Sequence, residues 1–268
     1  MSRQEIKIWK KKPKGIVLDS RYGVVVCGDA VDFLGSLKEE VADIVFLDPP
    51  FNLGKQYGSK KGVSDQLKEE EYFSFITKAL DRSCDVLKPG GSLFLYHIPK
   101  WGMRFSNYLD GKLSFQHWIA VSMKNGFVRG PRLYPAHYAL LHFSKGKPAV
   151  LHRPKTPIQT CRHCEKDIKD YGGYRKYLTK GINLSDVWDD ISPVRHKHTK
   201  HRKPNELPAV ILQRILMMAG KERGVLVDPF SGAGTAAVAA REFGMMFAAC
   251  DREKEYCELL IDRLKKHS

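Results

Sequence analysis

The chain has 268 residues, 43% of them hydrophobic, with 14 prolines; that is enough for one large α/β domain, or one domain carrying an insertion, and argues against long disorder. Six cysteines in this length argue against a disulfide framework, the polar, lysine-rich start from Met1 to Lys14 does not read as a signal peptide, and no segment approaches the roughly 20 apolar residues of a membrane span. The formal charge of +15, from 45 Lys and Arg against 30 Asp and Glu, points to a polyanionic partner rather than a membrane, and a cytoplasmic protein is expected.

In chain order, residues 1–20 read as a basic N-terminal arm. Residues 22–27 form a β-branched strand ending at Gly28-Asp29, and residues 30–37 a helix. The apolar run 43–47 is a buried strand that stops at Pro49-Pro50, because neither proline has an N–H to donate to a ladder. Residues 52–68 are polar, with several glycines and lysines and no periodicity, as in a mobile loop or lid. Residues 69–87 carry apolar side chains at helical spacing and end at Pro89-Gly90-Gly91. A buried strand at 92–97, a short helix at 102–111 and strands at 115–123 and 138–144 follow. Composition then turns basic and irregular from 145 to 203. Asn205 reads as the cap of a helix over 206–219, with Pro208 in its first turn. Strand 224–228, a glycine loop, helix 235–243, strand 245–250 and helix 253–266 complete the chain. This alternation predicts an α/β fold with a doubly wound, mainly parallel sheet. The expected layout is an arm at 1–20, a core domain from 21–144 and 204–268, and an inserted region at 145–203.

Two segments carry the chemistry. Asp48-Pro49-Pro50-Phe51 lies just past the carboxyl end of a strand, where open α/β sheets place their sites. It offers a carboxylate, backbone carbonyls that no ladder has claimed, and an aromatic face, a set suited to a flat, amino-bearing ring. The second segment, Asp228-Pro229-Phe230-Ser231-Gly232-Ala233-Gly234-Thr235, is a strand, a tight turn and a helix start. Asp251, 17 residues after Gly234 at the next strand end, is placed to hold ribose hydroxyls. Locally this signals an adenosine-bearing cofactor in a Rossmann-like crevice, and does not separate NAD from S-adenosylmethionine.

Taken together, these two segments resemble the amino-group DNA methyltransferases, which move a methyl from S-adenosylmethionine to adenine N6 or cytosine N4. The proline motif precedes the glycine loop by 180 residues with a basic region between, which is similar to the permuted, β-class motif order. The resemblance covers nearly the whole chain from Cys27 onward. It implies a Rossmann-like methyltransferase sheet with 145–203 as target-recognition region. Asp48, Pro49, Pro50 and Phe51 are then catalytic, and Asp228, Phe230, Gly232, Gly234, Thr235 and Asp251 bind cofactor. It further implies that Asp29 contacts the cofactor adenine and that Lys203, before Pro204, leads into the segment beside its methionine end. Asp at the first motif position leans toward adenine N6, with cytosine N4 the alternative. Methylation at cytosine C5 is disfavoured, since no Pro-Cys dipeptide supplies its nucleophile. An RNA methyltransferase and a non-catalytic nucleic-acid-binding protein are more remote readings.

Between residues 145 and 203, 15 Lys and Arg stand against 6 Asp and Glu, so nine of the fifteen net charges fall there, with five of the ten histidines. Interleaved tyrosines make this a footprint for a polyanion, and the family resemblance implies that it is double-stranded DNA whose target base is flipped out. Lys55, Tyr171, Arg175, Lys176, Arg195 and Lys197 are the expected DNA contacts. Cys161 and Cys164 have the spacing of half a zinc site, but no second pair follows, so no metal is assigned. A homodimer and a cognate restriction endonuclease fit the family without being required by it.

Overall fold

Strands and helices alternate through the computed structural model, which describes residues 7–53, 66–122, 133, 135–157, 181–191 and 207–266. In order they are β1 (Ile16–Ser20), β2 (Gly23–Cys27), α1 (Ala30–Ser36), β3 (Ala42–Leu47), α2 (Glu69–Val86), β4 (Leu87–His97), α3 (Pro99–Asp110), β5 (Ser114–Ser122) and β6 (His137–Ser144). Then come β7 (Lys155–Thr156), β8 (Ile182–Asn183), β9 (Val187–Trp188), α4 (Ala209–Ala219), β10 (Val225–Asp228), α5 (Thr235–Glu242), β11 (Met246–Asp251) and α6 (Lys254–Lys266). Among these described residues no helix is long and apolar enough to cross a membrane.

Nine strands share one sheet in the order β1-β2-β11-β10-β3-β4-β6-β5-β9. Its centre, β2-β11-β10-β3-β4, is parallel, as is the β5–β9 pair. Strand β1 at one edge and the β4-β6-β5 meander are antiparallel. Side chains alternate across a strand, so both faces of the central strands must be covered. Val45 and Leu47 point into a core shared with Phe33 of α1, Ile76 and Leu80 of α2 and Phe105 of α3. Ile44 and Phe46 point the other way, toward Ile211 and Ile215 of α4, Ala237 and Ala240 of α5 and Leu260 of α6. That is the doubly wound arrangement, and it explains why these strands read as unbroken apolar runs.

Several elements depart from the sequence expectation. Within the segment read as an arm, β1 pairs antiparallel with β2, Ile8 is buried and Trp9 bridges to Leu37. Strand β4 runs straight through Lys88-Pro89-Gly90-Gly91, read as a turn. Its register against β3 jumps from Ala42 opposite Leu87 to Ile44 opposite Ser92, so the extra residues bulge outward. There Gly90 N–H donates to the Lys145 carbonyl at 2.7 Å and Gly91 C=O accepts from Lys145 at 3.0 Å, so the ladder is kept up from outside. Helix α4 begins at Ala209 with Pro208 as its N-cap, later than expected, because the proline ring disfavours helical dihedrals at the preceding Leu207; Asn205 lies outside the described residues. Part of the region read as irregular joins the main sheet: β9 pairs with β5. Trp188 is fully buried, its indole N–H donating to Ser185 O at 2.9 Å, and Arg214 of α4 reaches across its ring to Asp190 at 2.9 and 2.5 Å.

Asp43 ties three segments together at the far end of the sheet. Its Oδ2 accepts from Lys88 Nζ at 2.7 Å and Val225 N–H at 2.9 Å, while Oδ1 lies 2.7 Å from Lys221 Nζ. Burial pushes its pKa up, but the bonds from Lys221, Lys88 and Val225 outweigh that and hold it below the ordinary value. Removing a buried, hydrogen-bonded charge partner costs several kcal/mol, although the two lysines are partly exposed. Asp43→Ala is therefore expected to lose about 2 kcal/mol in urea unfolding near neutral pH. The carboxylate stabilises above the unfolded pKa of about 4, so the difference from wild type must shrink as pH falls below that.

Candidate active site

Chain order and sheet order together locate a crevice. From β10 the chain passes through α5 to β11 on one side; from β3 it passes through α2 to β4 on the other. The crossovers diverge between β3 and β10, and ligands bind open sheets at the carboxyl ends of strands flanking such a point. Three of the expected residues stand there. Val227 lies beside Val45 in the β10–β3 register, so Asp228 ends β10 one residue on and Asp48 follows β3 three residues on. Asp251 ends β11, next to Cys27 of β2.

Asp48 sits beneath a wall of aromatic rings. Tyr96 of β4 and Tyr138 of β6 have centroids 5.0 Å apart, and Phe51 lies 6.1 and 5.7 Å from them. Burial raises both tyrosine pKa values, and the charge of nearby Asp48 adds to each. Burial likewise pushes the Asp48 carboxyl up to about 7, although part of the residue remains open to solvent. The loop is held from behind. The Pro50 carbonyl accepts from the Tyr72 hydroxyl, and Tyr72 Oη lies 2.6 Å from His97 Nε2. Beyond Phe51, Asn52 adopts φ 55°, and its side-chain amide both donates to Leu67 O at 2.9 Å and accepts from Leu67 N–H at 2.7 Å. That lacing closes the base of the chain between them.

In the glycine loop, Asp228 is buried and accepts from Phe230 N–H at 3.1 Å. Burial raises its pKa well above the ordinary value, and the charges of Asp48 and Asp251 push the same way. Asp251 accepts from Gly232 N–H and Glu253 N–H, both at 2.8 Å, and burial raises its pKa despite those bonds. Phe230 packs edge-on to Phe75 of α2 at 6.0 Å. Gly234 has φ 81°, and a Cβ there would lie 2.1 Å from Leu260 Cδ1, so only glycine lets the loop settle on α6. At Gly232 a Cβ would meet nothing within 4 Å; the loop faces open space on that side. Ser231 Oγ is buried with no hydrogen-bond partner among the described residues. Buried carboxyl groups and an open glycine turn thus meet in one place. The set fits a cofactor that carries an adenosine and a positive charge to favour the ionised carboxylates.

The structure therefore brings Asp48, Pro49, Pro50, Phe51, Asp228, Phe230, Gly232, Gly234 and Asp251 to one crevice. Thr235 begins α5, buried, with its Oγ1 3.4 Å from Arg263 Nη1. Asp29 is exposed at the neighbouring strand end and caps α1, accepting from Val31 and Asp32 N–H at 2.8 and 3.1 Å. Lys203, Lys55, Tyr171, Arg175, Lys176, Arg195, Lys197, Cys161 and Cys164 lie outside the described residues. Tyr72, Tyr96, His97 and Tyr138 were not singled out in the sequence. The signal for Tyr96 and His97 was their place at the carboxyl end of a predicted strand. Nothing local marked Tyr72 or Tyr138, which arrive from α2 and β6.

Comparison with known proteins gives the family. A family model described as DNA methylase matches residues 42–262, and the chain belongs to that family. It is 44% identical over 245 residues to the type II methyltransferase M.BamHI of Bacillus amyloliquefaciens, covering 91% of this chain and 57% of that protein; the chain thus spans little more than half of that relative's length. It is 28% identical to M.HpaI of Haemophilus parainfluenzae, covering 90% of this chain and 73% of that protein. Among solved structures, the cytosine-N4-specific PvuII DNA methyltransferase matches with a TM-score of 0.66 at 17% identity, over 95% of this chain and 89% of that one. The M1.HpyAVI–SAM complex matches at 0.60 and 18%, over 90% and 98%. At such identities the structural likeness speaks to fold.

Two stability predictions follow from the crevice. Gly234→Ala combines a positive φ with the Leu260 clash and should cost about 2–4 kcal/mol in urea unfolding, whereas Gly232→Ala should cost about 1 kcal/mol. Asp48 has a folded-state pKa above its unfolded one, so its contribution is most favourable below pH 4 and is lost as pH rises through about 7. Asp48→Asn should therefore be more stable than wild type in urea unfolding at pH 8, by about 2 kcal/mol after allowing for solvent access, with the gap closing toward pH 4.

Proposed function

We propose that this chain moves a methyl group from S-adenosylmethionine to the exocyclic amino nitrogen of a base flipped out of duplex DNA, with adenine N6 the expected target and cytosine N4 the alternative. The observation that carries this reading is the placement of the Asp48 carboxyl among Phe51, Tyr96 and Tyr138, at the crevice that also holds the open glycine turn. Family membership supports it, as does a 24%-identical relative from Escherichia coli named as a DNA adenine methyltransferase.

When bound, the cofactor supplies an electrophilic methyl on a positively charged sulfur. Asp228, Phe230, Gly232, Gly234, Thr235 and Asp251 would hold it, with Asp29 at the adenine end and Lys203 toward the methionine end. The buried carboxylates Asp48, Asp228 and Asp251 are held at the expense of their ionised forms, and a nearby cation relieves that strain. An exocyclic amino nitrogen is a weak nucleophile because its lone pair is delocalised into the ring. Asp48 accepts one N–H and the Pro49 carbonyl the other, localising the lone pair. Both interactions strengthen as the nitrogen becomes tetrahedral and cationic, so they favour the transition state over the ground state. Phe51 stacks on the base and holds its plane, and the proton leaves after transfer. Flipping costs a few kcal/mol, offset by DNA contacts assigned to Lys55 and, in the basic 145–203 region, to Tyr171, Arg175, Lys176, Arg195 and Lys197. A second copy of the chain and a cognate restriction endonuclease are further partners that this reading accommodates.

Labelled methyl transfer from S-adenosylmethionine to varied DNA tests the reading, and nucleoside analysis of the product identifies the base. Absence of transfer to any DNA would sink it. Asp48→Asn should lower the single-turnover rate about 100-fold or more with cofactor binding kept. Because Asp48 must be ionised to accept the N–H, the wild-type rate should rise with pH and level off at or below about 7, the sulfonium charge drawing that midpoint downward. A flat profile between pH 5 and 8 would remove Asp48 from this role.

A further inference from the structure

Two prolines end the β3 ladder, yet the loop beyond them must hold a carboxylate and a carbonyl to fractions of an ångström. What fixes it comes from two other elements. Tyr72, in the first turn of α2, and His97, the last residue of β4, are both buried. Ile98 N–H donates to His97 Nδ1 at 2.8 Å, so that nitrogen is the acceptor and the ring proton resides on Nε2. Nε2–H then donates to the Tyr72 oxygen at 2.6 Å, which leaves the hydroxyl proton directed at the Pro50 carbonyl. Burial pushes the His97 pKa down to about 3, so the chain keeps one direction at every pH at which the protein works. The same imidazole lies 4.8 Å from the Phe51 ring at 30°, and Trp101 packs on Tyr72 at 4.6 Å. One histidine therefore braces the second half of the motif at two points, the Pro50 carbonyl through Tyr72 and the Phe51 ring by direct contact.

We propose that Tyr72 and His97 are positioning residues for the proline loop: a one-way hydrogen-bond chain, Ile98 N–H to His97 to Tyr72 to Pro50 C=O, sets the orientation of Asp48 and the Pro49 carbonyl toward the target amino group. The role rests on the proposed methyl transfer for its kinetic consequence, but not for its structural one. Neither residue touches substrate; each acts through the loop. Polar groups linked in series behave as a unit, so breaking either link has the same effect as breaking both.

The test uses the full-length protein with Tyr72→Phe, which deletes one oxygen, His97→Leu, which deletes the donor, His97→Gln, whose amide nitrogen can reach the Nε2 position, and the Tyr72→Phe/His97→Leu double variant. Single-turnover transfer to DNA, S-adenosylmethionine affinity by calorimetry and the Asp48 carboxyl titration by carbon NMR are measured on each. Tyr72→Phe and His97→Leu should each slow transfer about 10- to 100-fold with cofactor affinity changed less than about twofold, the double variant being no slower than either single. His97→Gln should recover most of the rate. In Tyr72→Phe and His97→Leu the Asp48 titration should move down toward the ordinary aspartate range as the loop loosens and water enters. Wild-type rates together with an unmoved Asp48 titration in Tyr72→Phe would overturn the proposal even if His97→Leu failed to fold. Additive losses that track unfolding stability, without rescue by glutamine, would also overturn it. If wild type transfers no methyl to any DNA, the methyl-transfer reading fails, and the Asp48 titration in Tyr72→Phe still decides whether the relay holds the loop.

Discussion

Burying carboxyl groups with no cation beside Asp48 or Asp228 among the described residues is the constraint on which this molecule turns. Asp48, Asp228 and Asp251 stand at the ends of three neighbouring central strands; desolvation raises the pKa of Asp48 and of Asp228, where the charges of the other two add to it and the Phe230 amide only partly opposes it. Packing around an apolar side chain at these positions would be more stable. Their presence makes sense where a positively charged ligand completes the site, and the crevice between β3 and β10 is where such a ligand fits. The fold is arranged to keep these groups in place in its absence: Gly232 and Glu253 amides hold Asp251, and the Phe230 amide holds Asp228.

The opposite end of the sheet shows the same side chain used for the opposite purpose. Asp43 is buried too, yet two lysines and a backbone amide satisfy it, and its pKa falls instead of rising. One strand, β3, thus carries an aspartate held in its ionised form at its start and one held toward its neutral form just past its end. The difference lies in the partners available, and those come from Lys88 on β4 and Lys221 just after α4.

Much of the fold was legible in the residues because it depends on local physics. Periodicity of apolar side chains marked the central strands and α2, α5 and α6 to within a residue or two at most ends, and paired prolines marked the end of β3. Departures came where partners distant in sequence outvoted the local signal. Pro89-Gly90-Gly91 reads as a turn by composition, but Lys145 and Ala149 supply hydrogen bonds that carry β4 through it. Residues 16–20 follow the lysine-rich stretch 7–14 and read with it as an arm, but their Ile16-Val17-Leu18 run took the free edge of β2 as a ladder. Val187-Trp188 is too short to signal a strand, and burial of the indole behind β5 made it one.

For the site, the sequence by itself determined which groups could do chemistry. Asp48-Pro49-Pro50-Phe51 can only be a stiff loop with unclaimed carbonyls, and Gly232 and Gly234 can only be a tight turn, because prolines lack a donor and glycines lack a Cβ. Only the tertiary structure decided what surrounds them. Tyr96 and Tyr138 form a wall because β4 and β6 pair in a register that puts both on one face beside Phe51. Tyr72 and His97 reach the back of the proline loop because α2 and β4 close over it. Those contacts join residues tens of positions apart, and no local pattern encodes them; they exist because a sheet brings distant strand ends to one edge.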